Sequence, residues 1–203
     1  MENISKYLVI SILIIGFSAC NDDDGINLQS HNDNEMMTEM HLMMDQMEQM
    51  TPSNDPDIDF TRMMIMHHEG AIDMANLELE DGDNSEMRTR AQNIINEQQQ
   101  EIQQLQSILN GLVTDEVDIE FPMEQMSSME KMDKTADTQL ITGDTDNDFA
   151  TLMILHHQAA IDNSSAYLHH GSNTQLNDIA KMIIEKQTSE INDLANWLVA
   201  NSR

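Results

Sequence analysis

The chain has 203 residues, 37 of them acidic and 9 basic, for a formal net charge of −28. Such a field repels phosphate, which excludes nucleic acid and bare anionic membrane as partners and favours cations. Only 3% of the residues are aromatic, which excludes a wide pocket of stacking rings, while the length suffices for one ordinary core or two small ones. Set against a single cysteine are 19 methionines and 8 histidines. Methionine alone is a pliable core filler; methionine with histidine, in an acidic chain almost without thiols, points to soft metal ions.

Residues 1–19 read as a lipoprotein signal peptide. Lys6 is followed by the apolar run Tyr7 to Phe17, too short to span a bilayer but suited to a signal-peptide core. Phe17-Ser18-Ala19-Cys20 then resembles a bacterial lipobox, with Phe17 where leucine is usual. Cleavage before Cys20 would leave its thiol lipidated, the mature chain free of thiols, and the protein attached to the cell envelope by lipid alone. Residues 20–30, opening with Asn21-Asp22-Asp23-Asp24, form a polar tether.

Residues 31–54 are a Met-rich segment. Met36, Met37, Met40, Met43, Met44, Met47 and Met50 follow helical spacing, with His41 among them. With little else to bury against, this arm is expected to be mobile without metal and to gain helicity on binding Cu(I).

Residues 55–112 and 144–203 are two copies of one unit. Asp59 to Asp73 recurs as Asp148 to Asp162 at an offset of 89, with nine of fifteen positions identical. The register continues without a gap through Gly82/Gly171, Asn84/Asn173, Ala91/Ala180, Gln98/Gln187, Glu101/Glu190 and Leu105/Leu194. Each unit reads as a helical hairpin. Asp55 and Asp144 suit the first N-cap, Pro56 suits the first helical position, and Asn84 and Asn173 suit the cap of the return helix. Gly82 and Gly171 suit a left-handed stop between the helices. Phe60, Met64, His68, Ala71, Ala75 and Leu79 form an apolar stripe edged by Met63, His67 and Met74; the return helix carries a stripe through Ala91, Ile95, Gln98 and Leu105. Two hairpins, each apolar on one side, predict an all-α four-helix bundle with a pseudo-twofold axis. Residues 113–143 read as an acidic linker outside the repeat, irregular over 113–121 and 135–143, with Met123, Met126, Met129 and Met132 between.

A thioether is soft, uncharged and needs no deprotonation, so it binds Cu(I) or Ag(I) at any envelope pH. On a helix, sulfurs three and four residues apart can converge on one ion. The strongest local signal is His67-His68 and His156-His157, one pair in each unit, with Met64 and Met153 about one turn before them. Gln98 and Gln187 lie within apolar stripes, where an unpaired amide costs about 1–3 kcal/mol; the facing imidazoles are their expected partners. Glu101 and Glu190 fall at the stripe edge and read as solvated. Unit 1 surrounds its histidines with Met63, Met64, Met66 and Met74. Unit 2 keeps Met153, has Leu152, Leu155 and Asn163 at the other positions, and adds His169-His170. The expectation is divided labour: unit 1 favours Cu(I), and unit 2 better tolerates Cu(II).

The pattern Asp-Phe-x3-Met-Ile-x-His-His-x2-Ala-Ile-Asp, with the later Ala-x2-Ile-Ile-x2-Gln-x2-Glu-Ile, resembles the family called domain of unknown function 305. The resemblance implies a ferritin-like helical fold and, since some members are periplasmic copper-binding proteins, copper ligation by Met64, His67, His68, Met153, His156 and His157. Asn163, standing where unit 1 has Met74, departs from equivalence of the two sites.

The combined reading is a copper-binding envelope lipoprotein, chiefly for Cu(I), with Ag(I) and Cu(II) as further ions, acting in sequestration or in delivery with a copper donor or acceptor protein. Its candidate ligands are Met63, Met64, His67, His68, Met74, Met153, His156, His157, Met36, Met37, Met40, His41, Met43, Met44 and Met47, supported by Gln98, Gln187, Glu101 and Glu190. The reading is not an enzyme. The alternatives are a metal-dependent redox enzyme and a metal-free scaffold. A di-iron carboxylate centre is disfavoured, because Glu69 and Glu97 do not recur and no Glu-x-x-His occurs.

Overall fold

The computed structural model describes residues 28–201; Cys20 and the expected signal peptide lie outside that range. The described residues form an all-α fold of six helices preceded by a 3₁₀ turn at His31–Asp33. The helices are α1 (Glu35–Glu48), α2 (Pro56–Asp81), α3 (Ser85–Leu109), α4 (Phe121–Ala136), α5 (Thr145–His170) and α6 (Thr174–Asn201). None of them is long and apolar enough to cross a membrane.

The N-caps form as the sequence predicts. Asp55 accepts from the amides of Asp57 and Ile58, Asp144 from Asn147, Asn84 from Glu86 and Met87, and Asn173 from Gln175 and Leu176. The glycine stops do not. Gly82 and Gly171 are extended, with φ of −70° and −78° rather than left-handed. Their small size serves close approach instead: a Cβ at 82 would run into the side chain and carbonyl of Glu78, and one at 171 into the Tyr167 ring. Among the described residues, those with left-handed φ are Asn54 (φ 63°) and Gly143 (φ 74°), also 89 apart. Each sits in a turn that one aspartate locks: Asp59 takes the amides of Ser53 and Asn54, and Asp148 those of Thr142 and Gly143.

Helices α2–α3 and α5–α6 are the two hairpins; α2 packs on α5 at the centre, while α3 and α6 scarcely touch. The hairpins close each other. Asp57, in the first turn of α2, accepts from Tyr167 Oη and from the amides of Ser172 and Asn173 at the α5–α6 turn. Asp146, in the first turn of α5, accepts from the amide of Asn84 at the α2–α3 turn. Glu78 occupies the position equivalent to Tyr167. Burial first, and the neighbouring Asp146 carboxylate second, push its carboxyl up to about 9. At neutral pH it is therefore a protonated acid, able to donate to Asp146 as the Tyr167 hydroxyl donates to Asp57.

The Met-rich segments correct the sequence reading. The arm expected to be mobile is helix α1, with Met36, Met37, Met40, Met43, Met44 and Met47 all buried. Residues 121–136 of the expected linker are helix α4, burying Met129 and Met132 while Met123 is exposed. Helix α1 packs on α2 and α4 on α5, and the offset of 89 pairs Met40 with Met129 and Met43 with Met132. The structural repeat is thus three helices, not two. The arm does have something to bury against, and each buried methionine contributes about 1.5–3 kcal/mol. Where α1 crosses α2, Gly70 removes the obstacle: a Cβ there would lie 2.9 Å from Met43 Cγ and 3.2 Å from Met43 Cβ. The equivalent residue of α5 is Ala159.

Candidate metal centre

Helices α2 and α5, the buried inner pair, carry the four histidines of the repeated motif. His67, His68, His156 and His157 are all inaccessible to solvent. The two pairs meet at the pseudo-twofold: the His67 and His156 rings lie 3.6 Å apart between centroids, tilted by 38°. His68 and His157 flank them, with centroids 6.4 Å from His67 and 6.1 Å from His156 respectively. Two sites dividing the labour would have to work in contact.

Hydrogen bonds orient two of the rings. His156 Nε2 donates to the His67 carbonyl at 3.0 Å, and His68 Nε2 donates to Glu101 Oε2 at 3.0 Å. His156, kept neutral by burial, therefore keeps a lone pair on Nδ1, and neither ring has a partner on Nδ1. His67 and His157 have no hydrogen-bond partner on either ring nitrogen; Glu190 Oε2 lies 3.0 Å from His157 Nε2 but out of line. Six buried imidazole nitrogens are left without partners, at a cost of about 1–3 kcal/mol for each unsatisfied group. Burial, reinforced by the neighbouring imidazoles, holds His67 and His156 well below the usual histidine range. They stay neutral, the form that binds a metal.

The expected supports exchange roles. Gln98 and Gln187 are buried, but Gln98 Oε1 and both polar atoms of the Gln187 amide lack partners, so the predicted amide–imidazole pairing is not made. Glu101, expected to be solvated, is 5% exposed and is the partner of His68. Burial alone would raise its pKa; its bonds to His68 and Lys186 outweigh burial and hold it below the ordinary carboxylate value. The sequence reading missed Lys186, whose Nζ lies 2.9 Å from Glu101 Oε1. Its one signal was the exchange of Glu97 for Lys186 at equivalent positions. Glu190 is 25% exposed and faces His157.

Met63, Met64, Met74 and Met153 are buried on the histidine helices. Met63, Met74 and Met153 share one apolar cluster with the six buried methionines of α1; Met64 joins a second cluster with Phe60 and Leu105. Asn163, at the position equivalent to Met74, accepts from Gln125 Nε2. His41 does not join the buried methionines: it is partly exposed, with Nε2 3.0 Å from Asp137 Oδ1 on the α4 side. His170 is likewise held elsewhere, by Asp118 at 2.6 Å. Among the described residues no three His, Cys, Asp or Glu side chains converge as a ready cation site.

The profile of the family described as Domain of unknown function (DUF305) matches residues 19–109 and again 57–198. The chain belongs to the DUF305 family. Among solved DUF305-like structures, CopM in a silver-bound form obtained by soaking is 25% identical, with a TM-score of 0.55 over 72% of this chain and 97% of that one. CopM in its Cu(II)-bound form is 28% identical, with a TM-score of 0.54 over 70% of this chain and 94% of that one. A DUF305 protein from Streptomyces coelicolor, 22% identical with a TM-score of 0.58 over 73% and 95%, shares the fold. No curated protein sequence matches the chain.

Proposed function

We propose that this DUF305 protein is a copper-binding lipoprotein of the cell envelope, anchored through Cys20, that holds Cu(I) by imidazole and thioether at the meeting point of α2 and α5. Ag(I) is an equivalent soft cargo, and Cu(II) a weaker one. The observation that carries this reading is the set of six buried, unpartnered imidazole nitrogens between α2 and α5, on helices that also bury Met63, Met64, Met74 and Met153. A scaffold would be expected to replace such groups with apolar ones, because each costs stability and serves no packing need. The similarity to CopM, solved with silver and with copper in both oxidation states, supports the same cargo here. The ligands proposed are His67, His68, His156 and His157, with Met63, Met64, Met74 and Met153. The α1 methionines form a neighbouring reserve of sulfur, and His41 is outside this set. The role is sequestration or exchange with a copper donor or acceptor protein.

Anaerobic titration against a chromophoric Cu(I) chelator tests the reading. Wild type should retain copper in fixed stoichiometry, and the His67→Ala/His156→Ala double variant should lose it. Failure of wild type to compete with the chelator would overturn the proposal.

A further inference from the structure

The centre is buried, so an ion must cross the wall of the bundle to reach it. The weakest wall is the seam between α3 and α6, which scarcely touch. The pseudo-twofold places two equivalent grooves along that seam, and their chemistry differs. One is a cavity of about 200 Å³ lined in part by Arg90, Glu97, Glu190 and Asp193. Its Glu190 Oε2 lies 3.0 Å from His157 Nε2, on a ring that is fully buried and has no hydrogen-bond partner. At an offset of 89, the corresponding residues of the other groove are Ile179, Lys186, Glu101 and Gln104; its outer end, at Ile179 and Gln104, opens on a cavity of about 630 Å³ whose lining does not include Glu101 or Lys186. There the glutamate that meets the histidine is almost wholly covered, its side chain 6% exposed against 25% for Glu190. The Lys186 ammonium lies against it and also reaches Glu97 Oε2 at 2.9 Å. Of the three carboxylates of the open groove, Glu97 is paired with Lys186 at 2.9 Å and Asp193 with Arg90 at 3.4 Å, while Glu190 faces only the imidazole and leaves the groove with an unneutralised negative charge.

We propose that the α3–α6 groove at Glu97, Glu190 and Asp193 is the port through which the soft cation enters and leaves the buried centre, and that Lys186 seals its pseudo-symmetric twin at Glu101. Carboxylates suit a transit site. They attract a cation by charge but bind soft monovalent ions weakly, so an ion is drawn in and passed on without being trapped. The His157 imidazole, beside Glu190, is the first nitrogen donor behind the acidic mouth. The inference rests on the metal reading of the centre and adds the route to it.

The test follows Ag(I) in the full chain. Release to an excess of chromophoric chelator gives koff, equilibrium competition gives Kd, and their ratio gives kon. Glu97→Lys, which copies the sealed groove, should lower kon and koff together, on the order of tenfold, with Kd changed less than about twofold. Glu97→Gln/Asp193→Asn should do the same to a smaller degree without adding a cation. Lys186→Gln should raise both rates by unsealing the second groove. Rates unchanged in all three variants, or changed only as far as Kd changes, would overturn the port while leaving the metal centre standing. Absence of Ag(I) binding by wild type would overturn the metal reading and the port with it.

Discussion

Met43 of α1 lies directly on the bare Cα of Gly70 in α2, and this contact makes the Met-rich helix part of the bundle. Gly70→Ala should therefore loosen α1. Alanine gains about 1 kcal/mol of helix propensity, but overpacking costs about 1–3 kcal/mol, and the clash runs from Met43 Sδ back to its Cγ and Cβ. Amide exchange in residues 35–48 should quicken while the hairpins stay protected. Unchanged protection in α1 would mean that the contact is slack.

Glu78 should make stability depend on pH in the sense opposite to an ordinary surface acid. Its folded pKa of about 9 stands above the unfolded value of 4.5. Its contribution is thus fully present below pH 4.5 and is lost as pH rises through 9. Glu78→Gln keeps a donor for Asp146 and removes the titration. Relative to wild type, the variant should gain thermal stability at pH 8 and gain little at pH 4.5. Equal differences in Tm at the two values would refute the assignment.

His67→Leu separates ligand from scaffold. The His67 ring has no partner on either nitrogen, so its replacement by an apolar side chain of similar size should leave the metal-free protein as stable as before, or more stable by about 1–2 kcal/mol. The same variant should bind Cu(I) less tightly. A structural histidine would behave the other way: loss in urea denaturation with copper affinity intact.

The same burial predicts acid sensitivity. His67 and His156 remain neutral below the pH at which unfolded histidine, with a pKa of about 6.5, takes up a proton. The unfolded chain binds more protons there, so their contribution is present above pH 6.5 and is lost as pH falls below it. The urea midpoint should fall from pH 7 to pH 5 more steeply in wild type than in His67→Leu/His156→Leu. Parallel slopes would show that other groups control the acid limb.

Cys20→Ala should move the protein from the membrane fraction to the soluble envelope fraction with its metal content unchanged. Retention in the membrane would remove the lipid anchor from the proposal.

The hairpins, their caps and the histidine pairs were legible because helical period, capping chemistry and an ungapped repeat all agree. The equivalence of α1 and α4 was not. Met37/Met126, Met40/Met129 and Met43/Met132 match, but Met36, Met44 and Met47 correspond to Gln125, Asp133 and Ala136, so the shape persists where half of the residues have drifted. Glu101 was misread because a stripe edge looks solvated until the helix bearing Lys186 lies across it. The glycines were read for their φ, whereas Glu78 and Tyr167 lean over them and demand only that they be small.

The exchange of ties between hairpins carries an ancestral implication. Asp57 closes the turn of the second hairpin and Asp146 that of the first. A chain bearing one unit would hold both halves of this latch, aspartate and turn amides, with no complement of its own to close on. It could satisfy them by pairing with an identical copy across a true dyad, bringing two histidine pairs together as the tandem chain does. Duplication with fusion then frees the halves to diverge, so that one groove of a once-symmetric dimer can keep its glutamate while the other acquires a lysine.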